Sequence, residues 1–251
     1  MQWTRVRTII IMRKVMLMKD KVVIITGGAR RIGATLSYKF AEAGAKVIIA
    51  DCDDVGGNQV ALNIRKKGYE AEFIKTDISI ELDTQNMANS IAQKHGRIDV
   101  LINNAASKGT HKDNRKPFDQ ISVEEWDTLM GVNLRGTWLC CKAVSPFMKV
   151  QKKGKIINTS SQAWDIGYGP WLHYVTSKAG IIGLTRSLAR ELGEYNVNVN
   201  CVSYGSSIEE QFIKKPPQHE DLFGTVLFLA SEQSDFVTGQ TIYPNAGAYL
   251  H

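Results

Sequence analysis

Tyr174 and Lys178 stand four residues apart in Tyr174-Val175-Thr176-Ser177-Lys178, at the head of a long helical pattern. On a helix that spacing puts both side chains on one face. A free tyrosine, with a pKa of about 10, is a poor acid or base at neutral pH. An ammonium group one turn away stabilises the phenolate and lowers that value. The pair could then pass a proton to or from a substrate oxygen. The spacing alone is cheap, because a packed tyrosine beside a solvated lysine produces it equally well.

A second constellation lies near the start of the chain. The apolar run Lys21–Thr26 leads straight into Gly27-Gly28-Ala29-Arg30-Arg31-Ile32-Gly33 and then into a helical pattern. Glycines let a backbone turn sharply and approach a pyrophosphate closely. The following helix N-terminus offers N–H groups and a positive dipole end to the phosphates. Strand, glycine turn and helix in this order are the context a dinucleotide site requires. Asp51 ends the next apolar run, about twenty residues on, where a carboxylate meets the adenosine ribose. There it would accept from the ribose hydroxyls and repel a 2′-phosphate, which favours NAD. Its bland alternative is a strand-end cap.

The elements that must position these residues alternate along the chain. Lys21–Thr26, Lys46–Asp51, Ala71–Thr76, Val100–Asn103, Lys155–Ser160, Val197–Ser203 and Gln240–Pro244 are short, β-branched and bounded by Gly, Asp or Asn. They read as strands buried on both faces. Ile32–Ala43, Val55–Lys67, Ile80–His95, Val123–Val150, Tyr174–Tyr195 and Glu220–Ala230 carry amphipathic helical patterns between them. Such alternation predicts right-handed βαβ units in an α/β fold. The expected architecture is a single-domain, Rossmann-type, doubly wound parallel sheet of about seven strands with helices on both faces.

Composition is that of a globular protein, with 43% hydrophobic and 22% charged residues in 251. The net charge is +6, but Arg5, Arg7, Arg13 and Lys14 fall in the first eighteen residues, which contain no acid. The remainder is nearly neutral, so the charge gives little reason to expect nucleic acid. The stretch 1–18 reads as an extension: a late start at Met12, Met16 or Met18, a packing or disordered arm, or a transit-like leader. Its apolar run is too short to span a membrane. Residues 19–251 read as the domain, expected in the cytoplasm. Cys52, Cys140, Cys141 and Cys201 form no C-x-x-C pair and have no metal-ligand spacing. Free thiols and no metal are therefore expected.

Taken together, these motifs resemble the short-chain dehydrogenase/reductase superfamily. Thr26-Gly27-x-x-x-Arg31-x-Gly33 is similar to the family's Thr-Gly-x-x-x-Gly-x-Gly turn, with Arg31 in place of the middle glycine, as in pteridine reductases. Ser161 lies thirteen residues before Tyr174, the family's spacing for a serine that holds the reacting oxygen. Asn133, in Gly131-Val132-Asn133-Leu134-Arg135-Gly136, resembles the helix asparagine that anchors a water linking the lysine to solvent. The resemblance thus implies a catalytic set of Asn133, Ser161, Tyr174 and Lys178. It also implies hydride transfer between a nicotinamide and a secondary alcohol or ketone.

Cofactor contacts implied by the resemblance are Gly27, Arg30, Arg31, Ile32, Gly33, Asp51, Asp77, Ile78, Asn103, Ala105, Tyr174, Lys178 and Gly205. Asn103-Asn104-Ala105-Ala106 resembles the family's Asn-Asn-Ala-Gly run. Arg30 pulls towards NADP, while Asp51 favours NAD. Trp164, Tyr168 and Trp171 lie in the loop that overhangs the reacting centre and could line an apolar pocket, or pack on the scaffold. His173 is expected at the site rim. Relatives pair through the two long helices, so a homodimer or homotetramer is expected, with Trp138 at an interface or in the core.

The resemblance weakens after Ser203-Tyr204-Gly205-Ser206-Ser207-Ile208-Glu209. Tyr204 replaces the usual proline, and the family's threonine is absent. The substrate loop near 205–220 is about half the expected length, and Asn245-Ala246-Gly247 replaces Asp-Gly-Gly. Polyols, sugars, hydroxy-steroids, β-keto thioesters and pterins all stay open as substrates. A dinucleotide-binding protein without turnover is the competing reading.

Overall fold

The computed structural model describes residues 17–108, 115–205 and 211–250. The arm at 1–16 and Ser206-Ser207-Ile208-Glu209 lie outside the described residues, and so do the expectations attached to them. The strands are β1 (Val22–Thr26), β2 (Lys46–Asp51), β3 (Ala71–Lys75), β4 (Val100–Asn103), β5 (Gly154–Ser161), β6 (Val197–Tyr204) and β7 (Thr241–Ile242). The main helices are α1 (Arg31–Glu42), α2 (Asp54–Lys66), α3 (Glu81–His95), α4 (Val123–Met130), α5 (Thr137–Gln151), α6 (Leu172–Leu192) and α7 (Phe223–Ala230).

The seven strands form one parallel sheet in the order β3-β2-β1-β4-β5-β6-β7. This is the doubly wound arrangement that the strand–helix alternation implies. Successive strand residues point to opposite faces, and both faces are covered, so the runs are apolar throughout. Val23 and Ile25 join Leu36, Phe40, Ile64 and Val226 on the α1, α2 and α7 side. Val22 and Ile24 join Met87, Ile91, Val144 and Met148 on the α3 and α5 side. Met18 is fully buried in the first of these cores. Chain order reverses between β1 and β4, which opens a crevice at the strands' C-terminal ends.

The pattern Val123–Val150 predicts one helix, but the structure interrupts it. α4 begins with a Ser122/Glu125 capping box, and Gly131–Gly136 then forms a π-helical turn before α5. Inserted turns of this kind concentrate at functional sites, and this one carries Asn133. Gly136 permits it to sit against β3's outgoing loop: a Cβ there would lie 2.9 Å from the Ile78 side chain. No helix among the described residues is long and apolar enough to cross a membrane.

Candidate active site

The crevice is floored by the glycine turn between β1 and α1. Gly27 has φ +65, and a Cβ there would stand 2.7 Å from Ala105 Cα. A Cβ on Gly33 would stand 1.9 Å from the Gly27 carbonyl oxygen. Both positions therefore require glycine on steric grounds. Thr26 Oγ1 accepts from Asn104 N and Ala105 N, each at 3.1 Å. Asn104 Nδ2 donates back to Thr26 O and Gly27 O, at 3.1 and 3.2 Å. The turn is thus fastened to the end of β4. Arg31 adopts φ +50, a left-handed conformation costing a non-glycine residue about 1–2 kcal/mol. That conformation accounts for the glycine found at this position in the resembling family. An exposed Arg30 caps α1 without a side-chain bond, and Ile32 packs at the edge of the core. A tight cradle of this shape, opening on the N-terminus of a 12-residue helix, fits a dinucleotide pyrophosphate.

Asp51 is buried at the end of β2 and ties two loops together. Its carboxylate accepts from Ala29 N in the glycine turn and from Asp53 N, both at 3.0 Å. The expected ribose contact therefore also braces the phosphate turn. Arg30 is close enough for its charge to act on the Cys52 thiol, whose pKa burial and the Asp51 carboxylate push up. Asp77 accepts from Ser79 N and Oγ at 2.9 and 2.7 Å, and Ile78 is buried over Gly136. Asn103 turns its amide into the sheet. Its Nδ2 donates to Asn158 Oδ1 at 2.9 Å, and its carbonyl accepts from Thr159 Oγ1. Both side chains are buried, Asn103 against β5 and Ile78 against Gly136.

β5 and α6 bring together the serine, tyrosine and lysine expected to move the proton. Ser161, the last residue of β5, lies close enough to Tyr174 for its hydroxyl to act on the phenol, and it caps the following turn by accepting from Ala163 N at 3.3 Å. Ser160, the neighbour most easily confused with it, is buried and donates to Lys178 O at 2.8 Å. Lys178 is buried too, its Nζ donating to Thr159 O at 3.0 Å and lying 5.9 Å from the Tyr174 ring centre. Burial, reinforced by the charge of Lys108, lowers the Lys178 pKa to about 8. Burial raises the Tyr174 pKa, and the Ser161 hydroxyl partly opposes this. Desolvation thus opposes the charged form of both groups, raising the phenol and lowering the ammonium.

Asn133 is fully buried in the π turn. Its Oδ1 accepts from Ser107 N at 2.7 Å, while its Nδ2 donates to Ser107 O and Ser177 Oγ at 3.0 and 3.1 Å. Ser177 Oγ in turn donates to the Tyr174 carbonyl at 2.8 Å. One side chain thereby joins the loop after β4 to the first turn of α6. The Asn133 carbonyl accepts from Thr137 Oγ1 at 2.8 Å.

The aromatic residues divide. Trp171 stacks on Tyr174 at 4.0 Å and 14° and packs with Leu129. Tyr168 lies further out, with its hydroxyl 3.0 Å from Arg115 Nη1. Trp164 is not brought to this group. A turn of 3-10 helix directs its indole onto Ile181, Ile182 and Cys201, beside a cavity of about 660 Å³ shared with Arg186, Thr241 and Tyr243. His173 is buried, and desolvation lowers its pKa, with Glu125 and Lys116 acting in opposite senses. Gly205, with φ +143, closes the end of β6 against Gln162, the residue after Ser161. Thr159, Ser177 and Arg115 are the residues that sequence reading missed. The first two lie within strand and helix patterns that their own spacing does not distinguish.

A glycine turn, a buried carboxylate at the end of β2 and a tyrosine–serine–lysine group thus stand at one end of a parallel sheet. Residues 21–212 match the family model for the short chain dehydrogenases. The chain belongs to that family, and its chemistry is hydride transfer with a nicotinamide cofactor. It is 34% identical over 248 residues to the (2S)-[(R)-hydroxy(phenyl)methyl]succinyl-CoA dehydrogenase subunit BbsD of Thauera aromatica, covering 92% of this chain and 98% of that one. It is 32% identical over 249 residues to the 3-oxoacyl-[acyl-carrier-protein] reductase FabG of Staphylococcus epidermidis, covering 92% and 100%. A probable galactose dehydrogenase, GalD, of Rhizobium meliloti is 33% identical over 251 residues, covering 92% and 96%.

Proposed function

We propose that the protein interconverts a secondary alcohol and a ketone, with NAD as hydride carrier and Tyr174 as the general acid/base. The observation that carries this reading is the approach of Ser161, at the end of β5, to the Tyr174 phenol, with Lys178 one turn behind on α6. Bound at the crevice, the oxidised nicotinamide supplies a hydride acceptor and a positive charge beside the phenol.

In the oxidative direction Ser161 Oγ and Tyr174 Oη hold the substrate hydroxyl. The proton of that hydroxyl passes to Tyr174 Oη, ionised for this step, as the carbinol hydrogen leaves with the C–H electron pair for the nicotinamide and the C=O bond forms. In reduction Tyr174 returns the proton to the oxygen. Lys178, held by Thr159 O, keeps a cation near the ring when protonated. Trp171 covers the phenol on one side and keeps it dry. The names of the relatives, two of them dehydrogenases and one a reductase, support this reaction at a carbon–oxygen bond.

Asp51 supports NAD, because a 2′-phosphate would approach a carboxylate already fixed by two backbone N–H groups. Arg30 offsets this in part. We further propose a cytoplasmic enzyme with no membrane or nucleic-acid partner, assembled as a homodimer or homotetramer through α5 and α6. Trp138 on α5 and Leu172 on α6 are exposed in the single chain, as an interface would require. The test is a screen of alcohols and ketones with NAD and NADP, followed at the nicotinamide absorbance. Turnover of at least one pair with NAD preferred is expected. Tight cofactor binding with no turnover of any pair would favour the non-catalytic reading.

A further inference from the structure

Arg115 occupies a position that the proton-transfer chemistry does not explain. Its guanidinium carbon lies 4.7 Å from the Tyr168 ring centre and 5.2 Å from that of Trp171. Trp171 stacks directly on Tyr174. Cation, indole and phenol are therefore consecutive, with one indole ring between the charge and the Tyr174 ring. Arg115 is exposed, and one of its five N–H donors is spent on Tyr168 Oη. Among the described residues it has no acidic partner. Its neighbour Lys116 differs, being neutralised by Glu125 at 2.6 Å. Lys108, also exposed and without an acidic partner among the described residues, adds positive charge that reaches Lys178. A guanidinium steadied by two rings loses little freedom on binding and offers a planar fork matched to a carboxylate.

We propose that Arg115 is a specificity residue that binds a carboxylate on the substrate, a few bonds from the carbon that exchanges hydride. This rests on the alcohol/ketone reading above. The substrate class is then a keto acid or hydroxy acid, and its neutral ester is a poor substitute. The aromatic rings hold the carbon chain between the anion and Tyr174, while Lys108 adds attraction at longer range.

The test uses the full-length protein with two matched pairs: acetoacetate and methyl acetoacetate, and 4-oxopentanoate and methyl 4-oxopentanoate, each reduced with NADH. The wild type is expected to prefer at least one acid over its ester by about tenfold or more in kcat/KM. Arg115→Met keeps the aliphatic stem against the rings and is expected to lower kcat/KM for that acid about ten- to a hundredfold, chiefly through KM. The ester should stay within about twofold, and Arg115→Lys should recover part of the loss. Equal losses for acid and ester would show that Arg115 only props the rings and would overturn the proposal. So would a wild type with no preference for either acid.

If none of the four compounds turns over, calorimetric titration with 4-oxopentanoate, with and without NADH, separates the two claims. Binding to the wild type that disappears in Arg115→Met would uphold the anion site while the reaction assignment fell. Absent binding, or equal binding to both proteins, would overturn the anion site.

Discussion

Asn133→Ala should damage stability and turnover together, because one side chain holds the loop after β4 to the head of α6. The substitution removes three hydrogen bonds, two to the Ser107 backbone and one to Ser177 Oγ. At about 1 kcal/mol each, with a small cavity left at a fully buried position, the cost comes to about 3–5 kcal/mol. For a chain of this length each kcal/mol lowers Tm by about 2–4 °C, so the midpoint should fall by roughly 6–20 °C. The loss reaches the site through Ser177, which bonds the Tyr174 carbonyl. A displacement of the phenol by about 1 Å should lower kcat by roughly a hundredfold. Differential scanning calorimetry and steady-state kinetics read the two effects. Cofactor affinity, set mainly at the opposite side of the crevice, should change much less. A variant within about 1 kcal/mol of wild type, with kcat within twofold, would refute the idea that Asn133 joins fold to site.

Three further perturbations address the turn, the ribose site and the lysine. Gly33→Ala places a Cβ where the Gly27 carbonyl stands, so the cradle must open; cofactor binding measured by fluorescence titration should weaken at least about tenfold, with a stability loss of about 1–3 kcal/mol. Asp51→Asn removes the charge proposed to meet the ribose, and the ratio of kcat/KM with NADP to that with NAD should rise by about tenfold or more. Lys178→Met should show a stability difference from wild type that depends on pH. The folded pKa of Lys178 is about 8 against an ordinary 10.5. Below pH 8 the folded wild type therefore bears the buried charge at full cost, and between 8 and 10.5 that cost is relieved as the folded protein loses the proton first. Wild type should gain on the variant across that window, by up to about 3 kcal/mol in denaturant midpoints taken at matched pH.

The sheet was legible because its strands are buried on both faces and leave continuous β-branched runs, as in Val22–Thr26 and Val100–Asn103. The order Tyr174, Lys178 and Ser161 was legible because local spacing fixes residues on one helix face or at one strand end. The π turn was not, since a helical apolar pattern running from Val123 to Val150 conceals a change from i+4 to i+5 bonding. Gly131 and Gly136 on either side of Asn133 were its one visible trace. Which of Trp164, Tyr168 and Trp171 packs on the scaffold was not legible, because proximity in sequence to Ser161 says nothing about the direction a 3-10 turn gives the Trp164 side chain. The effective charge of Lys178 was illegible as well, because desolvation depends on Thr159, Cys201 and the packing of α6 on β5, none of which a four-residue spacing contains. Arg115 reaches the rings only through tertiary contact, and no pattern within its own stretch marks it.

The central claim is that the Tyr174 hydroxyl carries the proton. Tyr174→Phe removes that oxygen while keeping the ring stacked on Trp171, so it tests the claim with little disturbance of packing. With the best substrate from the alcohol and ketone screen, kcat should fall by about 10²–10⁴-fold while NAD affinity and Tm stay close to wild type. A variant that binds NAD normally and turns over within a few-fold of wild type would contradict the account.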